Sequence, residues 1–451
     1  MTSAVTGFFI RVGIWLLMIV AWLDRTLRPN RPFPRDPEQL RQRQAWLLDV
    51  LRGAGALEAT DELVTVDIEA IKQNEAFRSQ VAQVDVRFRR ADGADGALAL
   101  IAKFAPVPVL LREYAIYILQ ENHVKEAAVY AELARDPALP TAMPYYVGVH
   151  WISGGFCVLI ERLVDAVEVP EADGCPADLA ITTVDAMAAL HARFWGDEAT
   201  AAAAIRRTPP NVIDWLAAQL PGPDAPLFAA MLRSAWHHDS VAPSTVQHGD
   251  ARVGNQLFVP DLRPGAGEGA RRCVLIDWQA ARRGKGVFDV VYFLVLSVEP
   301  EVRRRHGRAL LERYHQALCD HGVQGYSLEA MLDDASMAAL LVLGFVTLPL
   351  MSAEASTTAE NTTGIAALGT AWARRMVAVV EELDFDAVAR RCGVDGAALR
   401  AAFGRSNDGA VVDFPAAAAD RAASQAFVAA HGPGLFRPVP GEAAGKAAGS
   451  C

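Results

Sequence analysis

The chain has few cysteines, no excess of basic residues and no internal repeat. Its six cysteines, at positions 157, 175, 273, 319, 392 and 451, show no paired spacing. The sequence therefore predicts neither a zinc site nor a disulfide framework, and it favours a reducing cytosol. Acidic side chains outnumber basic ones by 53 to 43, which gives a formal net charge of -10. A nucleic-acid partner would need a basic face, so we expect no nucleic-acid binding. From the cysteines we expect a cytoplasmic protein.

Long apolar runs are also scarce, and only residues 7–23 form a membrane-like segment. This segment is near the lower limit for spanning a bilayer, and Arg11 interrupts it. It has neither a basic start nor a cleavage site, which argues against a cleaved signal peptide. The arginines at 25, 28, 31 and 35 favour the cytoplasmic side. Two interpretations stay open: a helix on or dipping into the inner membrane, and a helix docked on the protein or on a partner subunit.

Two short motifs lie close together in the second half of the chain: His-Gly-Asp at 248–250 and Asp-Trp-Gln at 277–279. In kinases a catalytic-loop Asp accepts the substrate proton, an Asn five residues later binds magnesium, and a later Asp binds magnesium between the phosphates. Asp250, Asn255 and Asp277 follow that order and that spacing. Carboxylate and amide oxygens suit magnesium. The pattern predicts a site for a magnesium nucleotide and an attacking hydroxyl.

The residues between these motifs predict a hairpin. Residues 260–270 are rich in Gly and Pro, which is typical of a loop. The apolar run 273–276 predicts a buried strand, and Asp277 then stands at the end of that strand, where a ligand can reach it.

Together with Gly284, Gly286 and Asp289, these motifs resemble the phosphotransferase superfamily of aminoglycoside phosphotransferases and choline kinases. The resemblance is strongest to its ecdysteroid kinase-like branch and covers residues 60–385. It implies an α+β, two-lobed, protein-kinase-like fold, with a small N-lobe of antiparallel sheet and one helix and a larger, mainly helical C-lobe. It also implies transfer of phosphate from ATP, with magnesium, to a hydroxyl group of a small molecule.

The resemblance assigns roles to the motif residues. Asp250 is the catalytic base and His248 supports its loop, while Asn255 and Asp277 bind magnesium. Asp289 stands where the family has an Asp at a helix start, and we expect it to cap free helix N–H groups. On a helix predicted at 182–195, His191 is expected to be a packed core or interface histidine.

The N-terminal half predicts strands at 63–71, 80–89 and 97–104, followed by a helix at 112–135. Lys103 is a lone charge at the end of the third strand. In kinases the Lys of this strand holds the nucleotide phosphates and pairs with a Glu of the next helix. Glu126 is the preferred partner and Glu132 the reserve. The alternative is that these are solvated charges on the surface.

A further apolar strand at 156–160 leads into Glu161 and Leu163. By resemblance this is the connector between the lobes, whose backbone faces the adenine. Glu161 and Leu163 are therefore assigned to nucleotide binding.

One departure from kinases is the segment 72–79, which would cover the phosphates and contains no glycine. Glycine allows the closest approach of backbone to phosphate. This absence keeps open a second reading, a pseudokinase or nucleotide-binding module at a membrane.

The domain organisation predicted from these patterns has four parts. They are a hydrophobic segment with a Pro-rich linker (1–37), an N-lobe (38–163), a C-lobe (164–404) and an Ala/Gly-rich extension that is disordered at its end (405–451). The predicted function is an ATP- and magnesium-dependent phosphotransferase acting on a small hydroxylated substrate. Aminoglycoside resistance is a third reading, since the substrate is set by the pocket and not by the fold.

Overall fold

The computed structural model describes residues 32–71, 79–105, 122–134, 136–150, 155–197, 205, 213–214, 225–353, 362–399, 401, 422–426 and 429–430. The hydrophobic segment 7–23, residues 72–78 of the segment 72–79 that was expected to cover the phosphates, and the end of the C-terminal extension lie outside the described residues. Over the described part of the chain, no helix has the length and apolar character needed to cross a membrane. The membrane-associated helix at 7–23 therefore stays a prediction.

The chain divides into two compact units. The first comprises the described residues up to Asp165 together with Asp277–Ala280, and the second comprises Ala166–Ile276 and the residues from Ala281 onwards. The short segment that begins at Asp277 thus belongs with the N-terminal unit, although the residues on both sides of it belong to the C-terminal unit.

The first unit is built on an antiparallel sheet of five strands in the order β1-β2-β3-β5-β4. Its elements are α1 (Pro37–Gln42), α2 (Gln44–Gly53), β1 (Glu62–Ile71), β2 (Gln80–Arg89), β3 (Asp95–Phe104), α3 (Asn122–Ala128), β4 (Pro144–His150) and β5 (Gly155–Glu161). A π-helical turn, Val129–Leu133, continues α3. The strand predicted at 80–89 is confirmed at both ends, and β1 and β3 begin one and two residues earlier than predicted.

Period-two patterning decides which face of this sheet is buried. In β2, Val84, Val86 and Phe88 alternate with more exposed residues, as expected for a half-buried strand. Leu40 of α1 and Leu47 of α2 belong to the same buried cluster as these residues. The two short helices therefore help to form the core of the first unit, in addition to the single helix that the resemblance implied.

The second unit is mainly helical and carries two small two-stranded sheets, β6-β9 and β7-β8. Its elements are α4 (Ala177–Arg193), α5 (Ala225–Asp239), β6 (Thr245–Gln247), β7 (Gln256–Pro260), β8 (Arg271–Leu275), β9 (Arg282–Gly284), α6 (Val287–Ser297), α7 (Pro300–Asp320), α8 (Leu328–Ala353), α9 (Thr362–Glu382) and α10 (Phe385–Cys392). Strands β7 and β8 form the predicted hairpin. The predicted α+β class is confirmed, with an antiparallel sheet in the first unit and mainly helices in the second.

The core of the second unit surrounds α6, whose residues are buried on every side except at Tyr292. A helix that is hydrophobic all round is typical of the interior of a protein. Two arginines are buried beside it without exposure: Arg303 pairs with Glu382 at 2.9 Å, and Arg375 pairs with Glu299 at 2.6 Å. Each also donates to backbone carbonyls, as buried charges require.

The cysteines differ in part from the expectation. Cys157, Cys175, Cys273 and Cys392 are free thiols. Cys319 is disulfide-bonded, which the scattered spacing did not indicate.

Candidate active site

The first unit places a lysine between two carboxylates. Lys103 lies in β3, opposite Val81 of β2 and Val158 of β5. Its ammonium nitrogen is 2.7 Å from Oε1 of Glu126 and 2.5 Å from Oδ1 of Asp277. The structure therefore brings together three of the predicted site residues. Glu132, the reserve partner, is exposed.

The electrostatics of this cluster follow from its burial. Burial alone would lower the pKa of Lys103, but the negative charges of Glu126 and Asp277 outweigh it and raise that pKa above its ordinary value. Burial raises the pKa of Glu126; Lys103 opposes this shift, and Asp277 adds to it. One cation thus serves two carboxylates, which is why the pKa of Glu126 stays raised to about 7.

Asp277 has a backbone conformation that non-glycine residues seldom adopt. Its φ is 65°, in the left-handed region, and such conformations persist only where the surroundings impose them. Trp278, which follows it, is buried and donates its indole N–H to Thr141 at 3.1 Å. Gln279 donates to Oδ2 of Asp277 at 3.2 Å. The Asp-Trp-Gln motif therefore fixes both the backbone and the carboxylate of Asp277.

In the second unit, Asp289 binds the backbone of the His-Gly-Asp loop. The buried carboxylate accepts hydrogen bonds from the backbone N–H of His248 at 2.6 Å and of Gly249 at 2.9 Å. Gly249 has φ of 81°, which requires glycine. The expectation that Asp289 caps its own helix is wrong, because the carboxylate accepts the amides of a different segment. The loop N–H groups would otherwise be buried without acceptors, so the carboxylate bonds them and not the N–H groups of its own helix.

His191 anchors Asp289 in turn. Its Nε2 lies 3.1 Å from Oδ2 of Asp289, and its Nδ1 lies 2.8 Å from the hydroxyl of Tyr314. His191, Asp289 and Tyr314 are all buried, so His191 is the packed core histidine that its helix face predicted. Gly286 leaves room for this network, because a Cβ there would lie 2.6 Å from the Tyr314 hydroxyl and 2.7 Å from the His191 ring.

His248 connects the loop to the end of β8. Its Nδ1 accepts the backbone N–H of Asp250 at 3.3 Å, and its Nε2 donates to the carbonyl of Ile276 at 2.8 Å. The backbone N–H of Ile276 donates to the carbonyl of Asn255 at 3.0 Å. Ile276 directly precedes Asp277 in the chain. The observed bonds are those of a residue that supports its loop.

Asp250 is held by three donors. Tyr292 donates its hydroxyl to Oδ1 at 2.9 Å, Asn255 donates its amide N–H to Oδ2 at 2.9 Å, and Nε of Arg252 lies 3.4 Å from the carboxylate. The side chain of Asp250 is still 20% exposed. These contacts orient the carboxylate and leave part of it accessible to solvent.

Asn255 is oriented by bonds that use only its amide nitrogen. That nitrogen donates to the carboxylate and, at 2.8 Å, to the backbone carbonyl of Asp250. The atom that suits magnesium is the amide oxygen, which these bonds leave unused. Among the described residues, no group of three or more His, Cys, Asp and Glu side chains could hold a metal alone. The binding of magnesium by Asn255 and Asp277 stays a prediction.

The two residues assigned to the connector lie at the end of β5: Glu161 is its last residue, and Leu163 follows two positions later. Glu161 exchanges hydrogen bonds with Met143: its N–H donates to the Met143 carbonyl, and its carboxylate accepts the Met143 N–H, both at 2.8 Å. Arg162, between the two, donates its N–H to the carbonyl of Ala99 at 2.9 Å. Leu163 is half-buried. The role of Glu161 and Leu163 in nucleotide binding stays a prediction.

Sequence reasoning missed several residues of the Asp250 surroundings. Tyr292 lies one helical turn after Asp289 on α6, and this i,i+3 spacing is a signal that was available. Arg252 lies two residues after Asp250, but its partner Glu171 belongs to a distant loop that no motif marks.

Comparisons with known proteins give one family and several distant structures. Residues 220–324 match the sequence model of the ecdysteroid kinase-like family. No curated protein sequence matches the chain significantly. One similar solved structure is the GDP complex of aminoglycoside 2'-phosphotransferase-IIIa, at 13% identity, covering 73% of this chain and 99% of that chain with a TM-score of 0.40. Another is a choline/ethanolamine kinase family protein from Mesorhizobium loti, at 14% identity, covering 79% of this chain and 99% of that chain with a TM-score of 0.40. A microcompartment-associated aminopropanol kinase is similar at 14% identity, with coverage of 73% and 96% and a TM-score of 0.41.

The matched residues 220–324 include His248, Asp250, Asn255, Asp277 and Asp289. The resemblance stated from the motifs is confirmed over this segment, where the chain is similar to the ecdysteroid kinase-like family.

Proposed function

We propose that this protein is an ATP- and magnesium-dependent phosphotransferase that acts on a hydroxyl group of a small molecule. The observation that carries the proposal is the Lys103 ammonium held between Glu126 and Asp277. A strand lysine paired with a helix glutamate, beside the aspartate of a later motif, is the arrangement with which kinases hold nucleotide phosphates.

The proposed roles follow from the donor atoms. Lys103 binds phosphate oxygens, and Glu126 keeps its ammonium in place. Asp277 and the amide oxygen of Asn255 bind magnesium, which would supply charge neutralisation on the phosphates. Glu161 and Leu163 offer backbone groups to the adenine.

Asp250 is proposed to accept the proton of the acceptor hydroxyl as that oxygen attacks the γ-phosphorus and ADP leaves. Tyr292 and Asn255 orient the carboxylate, and His248 holds the Asp250 backbone. Such reactions depend mainly on positioning and on neutralising charge.

The test combines binding and transfer. A thermal-shift assay of the full chain with ATP, with and without magnesium, is expected to show stabilisation that needs magnesium and is lost in Asp277→Ala, since a ligand that binds the folded state raises Tm. Transfer of the γ-phosphate to a panel of hydroxylated acceptors is then measured. Absence of transfer to every acceptor would overturn the proposal, whether or not MgATP stabilises the protein.

The same assays separate the alternatives. A pseudokinase would bind MgATP and transfer no phosphate to any acceptor or to water. An antibiotic phosphotransferase would select aminoglycosides from a panel that also contains amino alcohols and apolar, steroid-like alcohols. The acceptor class is thus decided by relative kcat/KM.

A further inference from the structure

Arg252 forms ion pairs with two carboxylates, Asp250 and Glu171. Its Nε lies 3.4 Å from the carboxylate of Asp250, and its Nη1 donates to Oε2 of Glu171. The side chain of Arg252 is 26% exposed, whereas that of Glu171 is 9% exposed. Arg252 therefore stands between the proposed catalytic base and a carboxylate fixed in the protein interior.

Glu171 is itself held by helix α9. The indole N–H of Trp372 donates to Oε1 of Glu171 at 3.0 Å, and Arg375 donates to the backbone carbonyl of Glu171 at 2.9 Å. Burial raises the pKa of Glu171, while Arg252 and the Trp372 hydrogen bond oppose this shift. Each oxygen of this carboxylate thus has a donor, which restricts its rotation and that of Arg252.

Gly254 provides an independent sign that the pair is built into the loop. A Cβ at this position would lie 2.7 Å from Nη1 of Arg252 and 2.8 Å from Oε2 of Glu171. The φ of Gly254 is not in the left-handed region, so its backbone does not call for glycine. A side chain here would displace the ends of Arg252 and Glu171, because this pair packs directly over Gly254.

We infer that Arg252 is a positioning residue for Asp250, set by the chain of contacts Trp372–Glu171–Arg252. This inference rests on the proposed function. A guanidinium fixed by a buried carboxylate holds Asp250 in one orientation toward the acceptor hydroxyl. Loss of this contact leaves the carboxylate with only its two neutral donors, Tyr292 and Asn255, and a misplacement of about 1 Å can cost about 100-fold in rate.

The experiment measures kcat and both KM values with MgATP and the acceptor identified by the transfer panel. Arg252→Ala is expected to lower kcat by roughly 30- to 100-fold, with KM for ATP within about 2-fold. Arg252→Lys keeps the charge without the planar fork and is expected to recover only part of the loss. The matched control is Arg313→Ala, which removes an exposed arginine paired with Asp185 in the same unit and is expected to leave kcat unchanged.

Gly254→Ala tests the same contact without removing a charge. The added methyl group meets only the ends of two flexible side chains, so the variant is expected to fold with a Tm near that of the wild type. It should nevertheless reduce kcat, because it displaces Arg252 and Glu171. Trp372→Phe, which removes one N–H donor, is expected to reduce kcat by a few-fold.

A double-mutant cycle decides whether the contacts act in series. If Glu171 acts through Arg252, Arg252→Ala with Glu171→Gln is no slower than Arg252→Ala alone. Two results would overturn this inference and leave the proposed function standing. One is a kcat of Arg252→Ala equal to that of the wild type. The other is a double variant whose loss of kcat equals the product of the two single losses. Absence of transfer by the wild type would instead overturn the proposed function, and the inference with it.

Discussion

The two units hold their proposed catalytic groups in different ways. In the first unit, the Lys103 ammonium contacts the carboxylates of Glu126 and Asp277 directly. In the second unit, Asp250 stands on a loop whose backbone amides are bonded to Asp289. The difference implies that the first cluster responds to a change of charge nearby, whereas the loop of the second unit is fixed by its backbone hydrogen bonds.

This contrast agrees with the demands of phosphate transfer. Lys103 would exchange carboxylate partners for phosphate oxygens when the nucleotide binds, so a cluster held by charge is suitable. A base must instead be in place when the hydroxyl arrives, because positioning supplies much of the rate. The predictions that follow test this contrast, from the largest expected effect to the smallest.

Asp250→Asn should separate the two units most sharply. Loss of the base is expected to lower kcat by about 10³-fold, within the range of 10² to 10⁴ for general-base catalysis. The Lys103 cluster is untouched, so the MgATP-dependent rise in Tm should persist. Steady-state kinetics and thermal shift on the same preparation measure both effects, and turnover near that of the wild type would remove Asp250 from the role of base.

Asp289→Ala should damage the second unit as a structure. The change leaves two backbone N–H groups and His191 without their buried partner, and breaking such a pair costs about 3–5 kcal/mol in the free energy of unfolding. Urea unfolding measures the loss. Asp185→Ala is the control, because Asp185 belongs to an exposed ion pair and should cost less than about 1 kcal/mol. Equal effects of the two substitutions would contradict the assigned role of Asp289.

The same network predicts a pH dependence. Burial opposes the ionisation of Asp289, but His191, His248 and the Gly249 N–H outweigh it and lower the pKa of Asp289. A carboxyl with a lowered folded-state pKa contributes stability above its unfolded value of about 4, and this stability is lost as the pH falls through the folded pKa. The unfolding free energy of the wild type should therefore fall more steeply below pH ~4 than that of Asp289→Asn. Parallel pH profiles would contradict this coupling.

Lys103→Met tests the charge-based cluster. Methionine keeps much of the side-chain volume and removes the ammonium, so we expect MgATP to bind roughly 10- to 100-fold more weakly, the equivalent of one or two charged hydrogen bonds. Titration calorimetry measures Kd. Unfolding of the second unit should be unaffected, and an unchanged Kd would show that Lys103 does not contact the nucleotide.

Tyr292→Phe should have the smallest effect. It removes one neutral donor to Asp250 while Asn255 and Arg252 remain, and a single hydrogen bond contributes about 0.5–1.5 kcal/mol. We expect kcat to fall by about 2- to 10-fold, with KM for ATP unchanged. A loss as large as that of Asp250→Asn would mean that Tyr292 contacts the reacting groups themselves.

The two units also differ in how much of them the sequence predicts. The Lys103–Glu126 pair was predictable because the strand pattern places Lys103 at the end of β3 and because kinases pair the lysine of this strand with a glutamate of the next helix. The spacing from Asp250 to Asn255 likewise identified the loop. In both cases the signal is local, or is a motif with a known order.

The scaffold under Asp250 was less predictable, because its contacts join segments far apart in the chain. Asp289 was expected to cap its own helix, but its carboxylate bonds amides about forty positions earlier. Glu171 lies 81 positions from Arg252, and nothing near it in the sequence marks its role. Tertiary packing decides such pairings, and no local pattern records them.

The most direct test of the account is phosphate transfer by the full chain. The protein is incubated with γ-labelled ATP, magnesium and the acceptor panel, beside Asp250→Asn at equal concentration. The account predicts a labelled small molecule that forms only with magnesium and at a rate about 10³-fold lower in Asp250→Asn. Magnesium-dependent binding of ATP without label in any acceptor or in free phosphate would contradict it and would identify the chain as a nucleotide-binding protein without transferase activity.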